Sequence, residues 1–385
     1  MKLLSGGVCA VSGVRAYGIK EGKKGLAIIV GEGNAAGVFT KNKIKAAPVL
    51  ITSQHLKSGF MNAIIAYSGS ANAFTGGKGL RDAEKMTQLV ADAFGIDPKS
   101  VGVASTGIIG RPVDMDWIKN RIGKVVDNLR SDPSGSMAAA MAIMTTDTVP
   151  KQIAIEIDDV RIGGIAKGSG MIAPDMATML SFIYTDALLP TESLHKCLRK
   201  SVNKSFNMLV IDGDTSTNDM ALLTATGDSK ISEERFQEGL DFVCMELAKM
   251  IARDGEGATK LITIKVTGAK SAEDAKKAAR AIARSPLVKA AVFGEDPNWG
   301  RIIAAMGNSS ADLDPDKITL AFSDGTNTVT LVRDGNILDH SKEAKKIMSS
   351  DELIITADLG LGEHEATAWG CDLTYDYVRI NAKYM

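Results

Sequence analysis

Short apolar runs closed by glycine or by polar pairs dominate the first third of the chain. Leu26–Val30, Val49–Thr52 and Ala63–Tyr67 each read as a strand. Apolar residues then fall at helical spacing over Leu80–Phe94 and Met115–Leu129, with Asp114 placed to cap the second helix. Between them, Val101–Gly110 (VGVASTGIIG) predicts a strand running into a tight turn rich in free amides. Ser136–Met144 predicts an alanine- and methionine-rich helix whose low bulk suits close packing. Gln152–Ile157 and Met179–Thr185 read as strands, and Thr191–Ser205, Ser232–Arg253 and Ala272–Arg284 as helices, with Ser232 a cap. From Leu261 to Leu359 the pattern predicts strand–helix–strand–helix–strand–strand–helix–strand, with a hairpin at Phe322–Asn327. Strands and helices alternating in this way define a mixed α/β chain with a smaller second α/β unit roughly within 261–360.

Composition narrows the chemistry. A length of 385 residues suggests about two domains. The balance of 45 basic against 46 acidic residues argues against a dedicated nucleic-acid binder. No apolar stretch is long enough to cross a membrane, and MKLLSGGVCAVSG breaks at glycines too early for a secretory signal, so a cytoplasmic protein is expected. Cys9, Cys197, Cys244 and Cys371 are scattered without metal-ligand spacing, and so are His55, His195, His340 and His364. Disulfides and a metal are therefore not expected, and catalysis is left to hydroxyls, amines and carboxylates. The 38 glycines supply loops in which backbone amides approach ligands closely.

One segment concentrates that chemistry. In Lys167–Leu180 (KGSGMIAPDMATML), Gly168 and Gly170 flank a serine, Pro174 restricts Ala173, and Ala177 precedes Thr178 at the mouth of an apolar strand. Attack of the Thr178 hydroxyl on the Ala177 carbonyl would give an ester, and its hydrolysis a chain beginning with Thr178. The freed α-amine has an ordinary pKa of about 7.7–8.0, so one residue would carry both nucleophile and base. Taken alone, the same pattern also describes a surface turn followed by a strand.

The string as a whole resembles the self-cleavage motif of the ornithine acetyltransferase, or glutamate N-acetyltransferase, family (ArgJ). The resemblance continues in order through Ala104–Arg111 (ASTGIIGR), Thr145–Lys151 (TTDTVPK), Asp212–Asp219 (DGDTSTND), Asp254–Lys260 (DGEGATK), Gly294–Arg301 (GEDPNWGR) and Asn381–Tyr384 (NAKY). It implies an αββα sandwich of the DmpA/ArgJ type, cut at Ala177–Thr178 into an α chain of residues 1–177 and a β chain of 178–385. It also implies ping-pong transfer of acetyl from N-acetylornithine to glutamate through acetyl-Thr178, releasing ornithine and N-acetylglutamate in arginine biosynthesis. No cofactor is implied; acetyl-CoA is an open co-substrate. The two chains are expected to stay associated, as an oligomer of αβ units (a heterotetramer), with no nucleic-acid or membrane partner.

Residue by residue, the resemblance makes Thr178 the nucleophile and Thr106 and Gly107 the oxyanion hole. Thr145, Lys167, Thr178, Glu256 and Asn381 become substrate-binding groups: Lys167 for a carboxylate, Glu256 for an ammonium group. The sequence departs from the family in Ala66–Phe74 (AYSGSANAF), where Tyr67 and Ser70 stand in place of asparagines, and in ending at Met385 without the family's terminal Ser or Thr. Two other classes remain open: an N-terminal-nucleophile amidohydrolase or aminopeptidase of related fold, and a non-catalytic amino-acid-binding protein.

Overall fold

The structure is a computed structural model that describes residues 1–173 and 179–383, with only the backbone at Asp228. Ala177 and Thr178, the expected cleavage pair, lie outside the described residues. The chain forms two compact units. Unit 1 comprises residues 1–168, 175–203 and 215–247, and unit 2 comprises 169–174, 204–214 and 248–385.

In unit 1 the strands are β1 (Lys2–Leu4), β2 (Arg15–Glu21), β3 (Lys24–Phe39), β4 (Phe60–Ser70), β5 (Val101–Ile108), β6 (Lys151–Ile157), β7 (Val160–Lys167) and β8 (Leu180–Ala187). The two-residue β9 (Leu209–Val210) belongs to unit 2, and β10 (Met220–Ser229) returns to unit 1. Among the described residues they form one nine-stranded sheet in the order β1-β6-β7-β8-β10-β3-β4-β5, with β2 on β3. The β8–β10 and β4–β5 pairs are parallel and the others antiparallel.

Both faces of this sheet are buried, which is why its strands read as unbroken apolar runs. One face, with Leu26, Ile28, Ile65 and Tyr67, packs on α1 (Ala47–His55), α2 (Gly76–Phe94) and α3 (Met115–Asp127). The other, with Ile64, Ala66, Phe182 and Tyr184, meets α4 (Pro133–Ile143). The small residues of α4 serve a two-sided fit: a Cβ added at Gly18 of β2 would lie 2.5 Å from the Ala142 Cβ, and one at Gly25 of β3 only 2.0 Å from the Ala142 carbonyl oxygen. Helices α5 (Thr191–Lys204) and α6 (Glu233–Arg253) complete the unit as far as Asn203 and Leu247. Asp114 caps α3 through the Trp117 amide at 3.0 Å, and Ser232 accepts from Arg235 N at 3.2 Å at the head of α6.

Unit 2 carries β11 (Leu261–Ala269), β12 (Thr319–Ser323), β13 (Thr328–Arg333), β14 (Asn336–Ile337), β15 (Glu352–Asp358) and β16 (His364–Cys371). With β9 they make a sheet in the order β14-β13-β12-β15-β11-β16-β9. Its helices are α7 (Ala272–Arg284), α8 (Pro286–Phe293), α9 (Trp299–Gly307), α10 (Ser341–Met348) and α11 (Tyr375–Asn381). The stretch expected to form a smaller α/β unit, 261–360, lies wholly inside unit 2. In the β12–β13 hairpin, Asp324 Oδ1 accepts from the amides of Thr326 and Asn327.

Two expected strands are helices instead. Val49–Thr52 lies in α1, where Pro48 presets the first turn and the Thr52 hydroxyl docks on β5, donating to Val103 O at 2.6 Å and accepting from Val103 N at 2.8 Å. The strand expected after Arg284 is α8, with Pro286 in its first turn and Ser285 capping Val288 N at 3.3 Å. An apolar run this short does not distinguish strand from buried helix by periodicity. All four cysteines are buried and unpaired in disulfides. Among the described residues no helix is long and apolar enough to cross a membrane.

Candidate active site

Lys167 ends β7, almost wholly buried, and its ammonium gathers three of the groups of interest in unit 1. Nζ donates to Thr145 Oγ1 at 2.9 Å and Thr106 Oγ1 at 3.3 Å, and lies 3.8 Å from Asp147 Oδ2. A hydroxyl that accepts from an ammonium keeps its own hydrogen to donate, polarised toward whatever faces it. Thr106 and Thr145 are therefore prepared donors beside a fixed positive charge.

Asp147 organises this cluster, and the sequence reading passed it over. Its Oδ1 accepts from Lys151 Nζ at 2.7 Å and Gly168 N at 2.6 Å, and its Oδ2 from Thr145 N at 3.0 Å. Burial alone would raise this carboxyl. The Lys167 and Lys151 charges outweigh that and hold it well below the usual carboxylate range. Lys151 is itself only 1% exposed, so the Asp147 carboxylate supplies it with a charged acceptor that water does not. The signal was in the TTDTVPK block: Asp147 between Thr146 and Thr148, with Lys151 four residues on.

The turn after Thr106 depends on glycine. Gly107 has φ of +130°, and a Cβ there would stand 2.6 Å from Gly69 C and 2.8 Å from Ser70 N. Opposite it the β4–β5 register slips at Gly69/Ser70. Asn218 fastens the two strand ends together, its Nδ2 donating to Ser105 O at 2.9 Å and Ala71 O at 2.5 Å. Its neighbour Asp219 is fully buried. Met179 N donates to Asp219 Oδ1 at 3.1 Å, and Met220 N to Met179 O at 3.2 Å, so the residue after Thr178 is held at both ends. Burial pushes the Asp219 carboxyl well above its ordinary range, against the Met179 amide and Lys167. Asn218 and Asp219 give a function to the DGDTSTND block, which sequence reasoning left outside the site.

The departures at Tyr67 and Ser70 resolve into structure. The Tyr67 ring is core, 6.0 Å from the Trp117 ring, on the sheet face away from Ser68. Ser70 props the turn, donating to Arg111 O at 2.5 Å and accepting from Asn72 N at 3.0 Å.

Unit 2 brings the other two expected residues together. Asn381 Nδ2 on α11 donates to Glu256 Oε2 at 2.7 Å, and Glu256 N donates to Ser169 O at 2.8 Å. Glu256 Oε1 has no hydrogen-bond partner among the described residues, so this carboxylate can receive a cation. The segment before the expected cut is pinned in the same unit. Asp212 accepts from Met171 N at 2.6 Å, Ile172 N at 2.9 Å and the Tyr377 hydroxyl at 3.2 Å. Burial, together with Asp212 and Glu256, pushes that hydroxyl above its ordinary pKa. The structure thus places Thr106, Gly107, Thr145 and Lys167 in unit 1, and Glu256 and Asn381 in unit 2. Among the described residues no cluster of three or more His, Cys, Asp or Glu is placed to hold a metal ion.

Comparison with known proteins places the chain in a family. The chain is 55% identical over 393 residues to a glutamate N-acetyltransferase of Methanosarcina mazei, covering all of both chains. It is 47% identical over 375 residues to the arginine biosynthesis bifunctional protein ArgJ of Archaeoglobus fulgidus, covering 97% of this chain and 98% of the relative. A solved ArgJ structure from Bacillus halodurans matches 52% of this chain and 96% of its own at 40% identity, with a TM-score of 0.49. The model of the ArgJ family matches residues 11–385, and the chain belongs to that family.

Proposed function

We propose that this chain cuts itself between Ala177 and Thr178 and that the freed Thr178 carries acetyl from N-acetylornithine to glutamate, as an acyltransferase of arginine biosynthesis. The reading rests above all on one observation: a buried ammonium, Lys167, holding two hydroxyls, Thr106 and Thr145, at the end of the strand that leads into the Thr178 segment. Relatives similar over their full length are named glutamate N-acetyltransferases.

In the first half-reaction Thr178 attacks the acetyl carbonyl, its α-amine taking the proton and passing it to the amide nitrogen as the C–N bond breaks and ornithine leaves. In the second, the glutamate amine attacks acetyl-Thr178, the ester C–O bond breaks, and the proton lost by the amine passes by way of the Thr178 α-amine to the departing Thr178 oxygen. Each passes through a tetrahedral oxyanion that Thr106 and the Gly107 amide stabilise; one such donor is worth about 2.7–4 kcal/mol of barrier. Lys167 and Thr145 take the amino-acid carboxylate, and Glu256 with Asn381 an ammonium group.

The sheet of unit 1 supports continued association after the cut. Strands β8 and β10, both C-terminal to residue 178, lie between β7 and β3, both N-terminal to it. Separating the chains would break two full strand ladders in a buried sheet. The αβ units are taken to assemble further, in the cytoplasm.

N-terminal sequencing and intact mass of the purified protein test the claim directly. Two chains, the second beginning at Thr178, with glutamate-dependent turnover of N-acetylornithine, are expected, and Thr178→Ala should remain one inactive chain. A fully active unbroken chain would overturn the proposal. Hydrolysis that exceeds transfer to glutamate would replace it with an amidohydrolase. Product formed from acetyl-CoA and glutamate would add the second donor.

A further inference from the structure

A second lysine stands beside the same two hydroxyls. Lys20 of β2, Gly25 of β3, Ser68 of β4 and Thr106 of β5 are successive register partners, so they form one row across four strands on one face of the sheet. Gly25 contributes no side chain to that row. The Lys20 side chain extends past Gly25, and its Nζ donates to Ser68 Oγ at 2.8 Å. Lys20 Nζ also donates to Met144 O, the carbonyl directly before Thr145. Lys167 therefore holds Thr106 and Thr145 from one side, and Lys20 bonds a neighbour of each.

Lys151 and Lys167 both pair with Asp147, whereas Lys20 has no carboxylate in contact among the described residues, and burial favours the neutral form of Asp219. Both acceptors of Lys20 are uncharged, and its third N–H has no partner among the described residues. Met144 is the C-cap of α4, so Lys20 also caps that helix. Capping accounts for one of its bonds. It does not account for placing a second, half-buried cation beside Lys167 with no counter-ion, an arrangement that costs free energy until an anion arrives.

We propose that Lys20 is a second binding cation for the carboxylate of the amino-acid substrate, acting with Lys167 and Thr145. The ligand class is an α-amino or α-acylamino acid, and this inference rests on the function proposed above. A charged hydrogen bond of this kind is worth about a tenfold to hundredfold change in affinity.

The test compares wild type, Lys20→Met and Lys20→Arg, using glutamate and its α-carboxamide as calorimetric ligands and as acetyl acceptors. Lys20→Met is expected to weaken glutamate binding at least tenfold, to leave carboxamide binding unchanged and to change kcat little. Lys20→Arg should recover most of the loss. A processed, folded Lys20→Met that keeps the wild-type preference for carboxylate over carboxamide overturns the proposal. Should Lys20→Met not fold, reductive methylation of the wild type mapped by mass spectrometry replaces it: glutamate must protect Lys20, and equal labelling with and without glutamate refutes the assignment. If the wild type binds glutamate but transfers no acetyl, the functional reading fails while the carboxylate comparison still stands or falls on its own.

Discussion

Adding one methyl group at Gly170 displaces the Glu256 carboxylate without replacing that residue. A Cβ built at Gly170 would sit 2.3 Å from Glu256 Cδ and 2.4 Å from both carboxylate oxygens. The carboxylate must retreat by roughly 0.7 Å to reach even 3.0 Å, and by about 1 Å or more to reach ordinary van der Waals contact. That side-chain end can move, and alanine stiffens the unfolded chain by about 0.4–1 kcal/mol, so the fold should lose little. Catalysis is less tolerant: a misplacement on the order of 1 Å can cost on the order of 100-fold. Gly170→Ala is therefore expected to melt within a few degrees of wild type and to form both chains on a denaturing gel. Its kcat/KM for N-acetylornithine and for glutamate should fall by about 10- to 100-fold. A processed, folded variant with wild-type kcat/KM for both substrates would refute Glu256 as a substrate group. If processing stops, Glu256→Gln, which adds nothing at position 170, carries the same comparison.

Three further outcomes can be checked. Asp147→Asn removes the negative charge that the buried Lys151 and Lys167 ammonium groups face, so thermal or denaturant melts should show a loss of about 3–5 kcal/mol. Because the Asp147 carboxyl is lowered on folding, its contribution is present above the ordinary Asp value of about 4 and is lost as pH falls below it; the variant's acid unfolding should show a weaker pH dependence. Gly107→Ala, whose Cβ meets the Gly69–Ser70 backbone, should lower kcat by about 10²–10³ with both chains still formed. Lys20 is drawn down to about 8 by burial and by Lys167 of β7, against Asp147 of the loop after α4, and among the described residues its hydrogen-bond acceptors are the neutral Ser68 and Met144. It is charged below that pH and neutral above, so calorimetric glutamate affinity should fall as pH rises through 8, and Lys20→Arg should flatten the fall. Binding is the right readout here, since the Thr178 amine titrates over the same range and would shape the rate.

The element types of the long periodic segments, α2, α3, α5, α6 and α7, were legible in the chain because helical spacing and caps are local signals. So were the residue types able to do the chemistry, since glycine turns, hydroxyls and an isolated lysine mark themselves in a sequence whose histidines and cysteines are dispersed. Val49–Thr52 and Pro286–Phe293 were not legible, because so short an apolar run takes its conformation from what it packs against, as Thr52 does on β5. Asp147, Asn218 and Lys20 went unrecognised for a different reason. Their significance lies in convergence: strand register sets Lys20, Gly25, Ser68 and Thr106 in one row, and the lysines gathered at Asp147 outweigh its burial, whereas at Asp219 burial prevails. Periodicity carries no information about which distant strands align or which charges lose their water, and only the tertiary structure decides both.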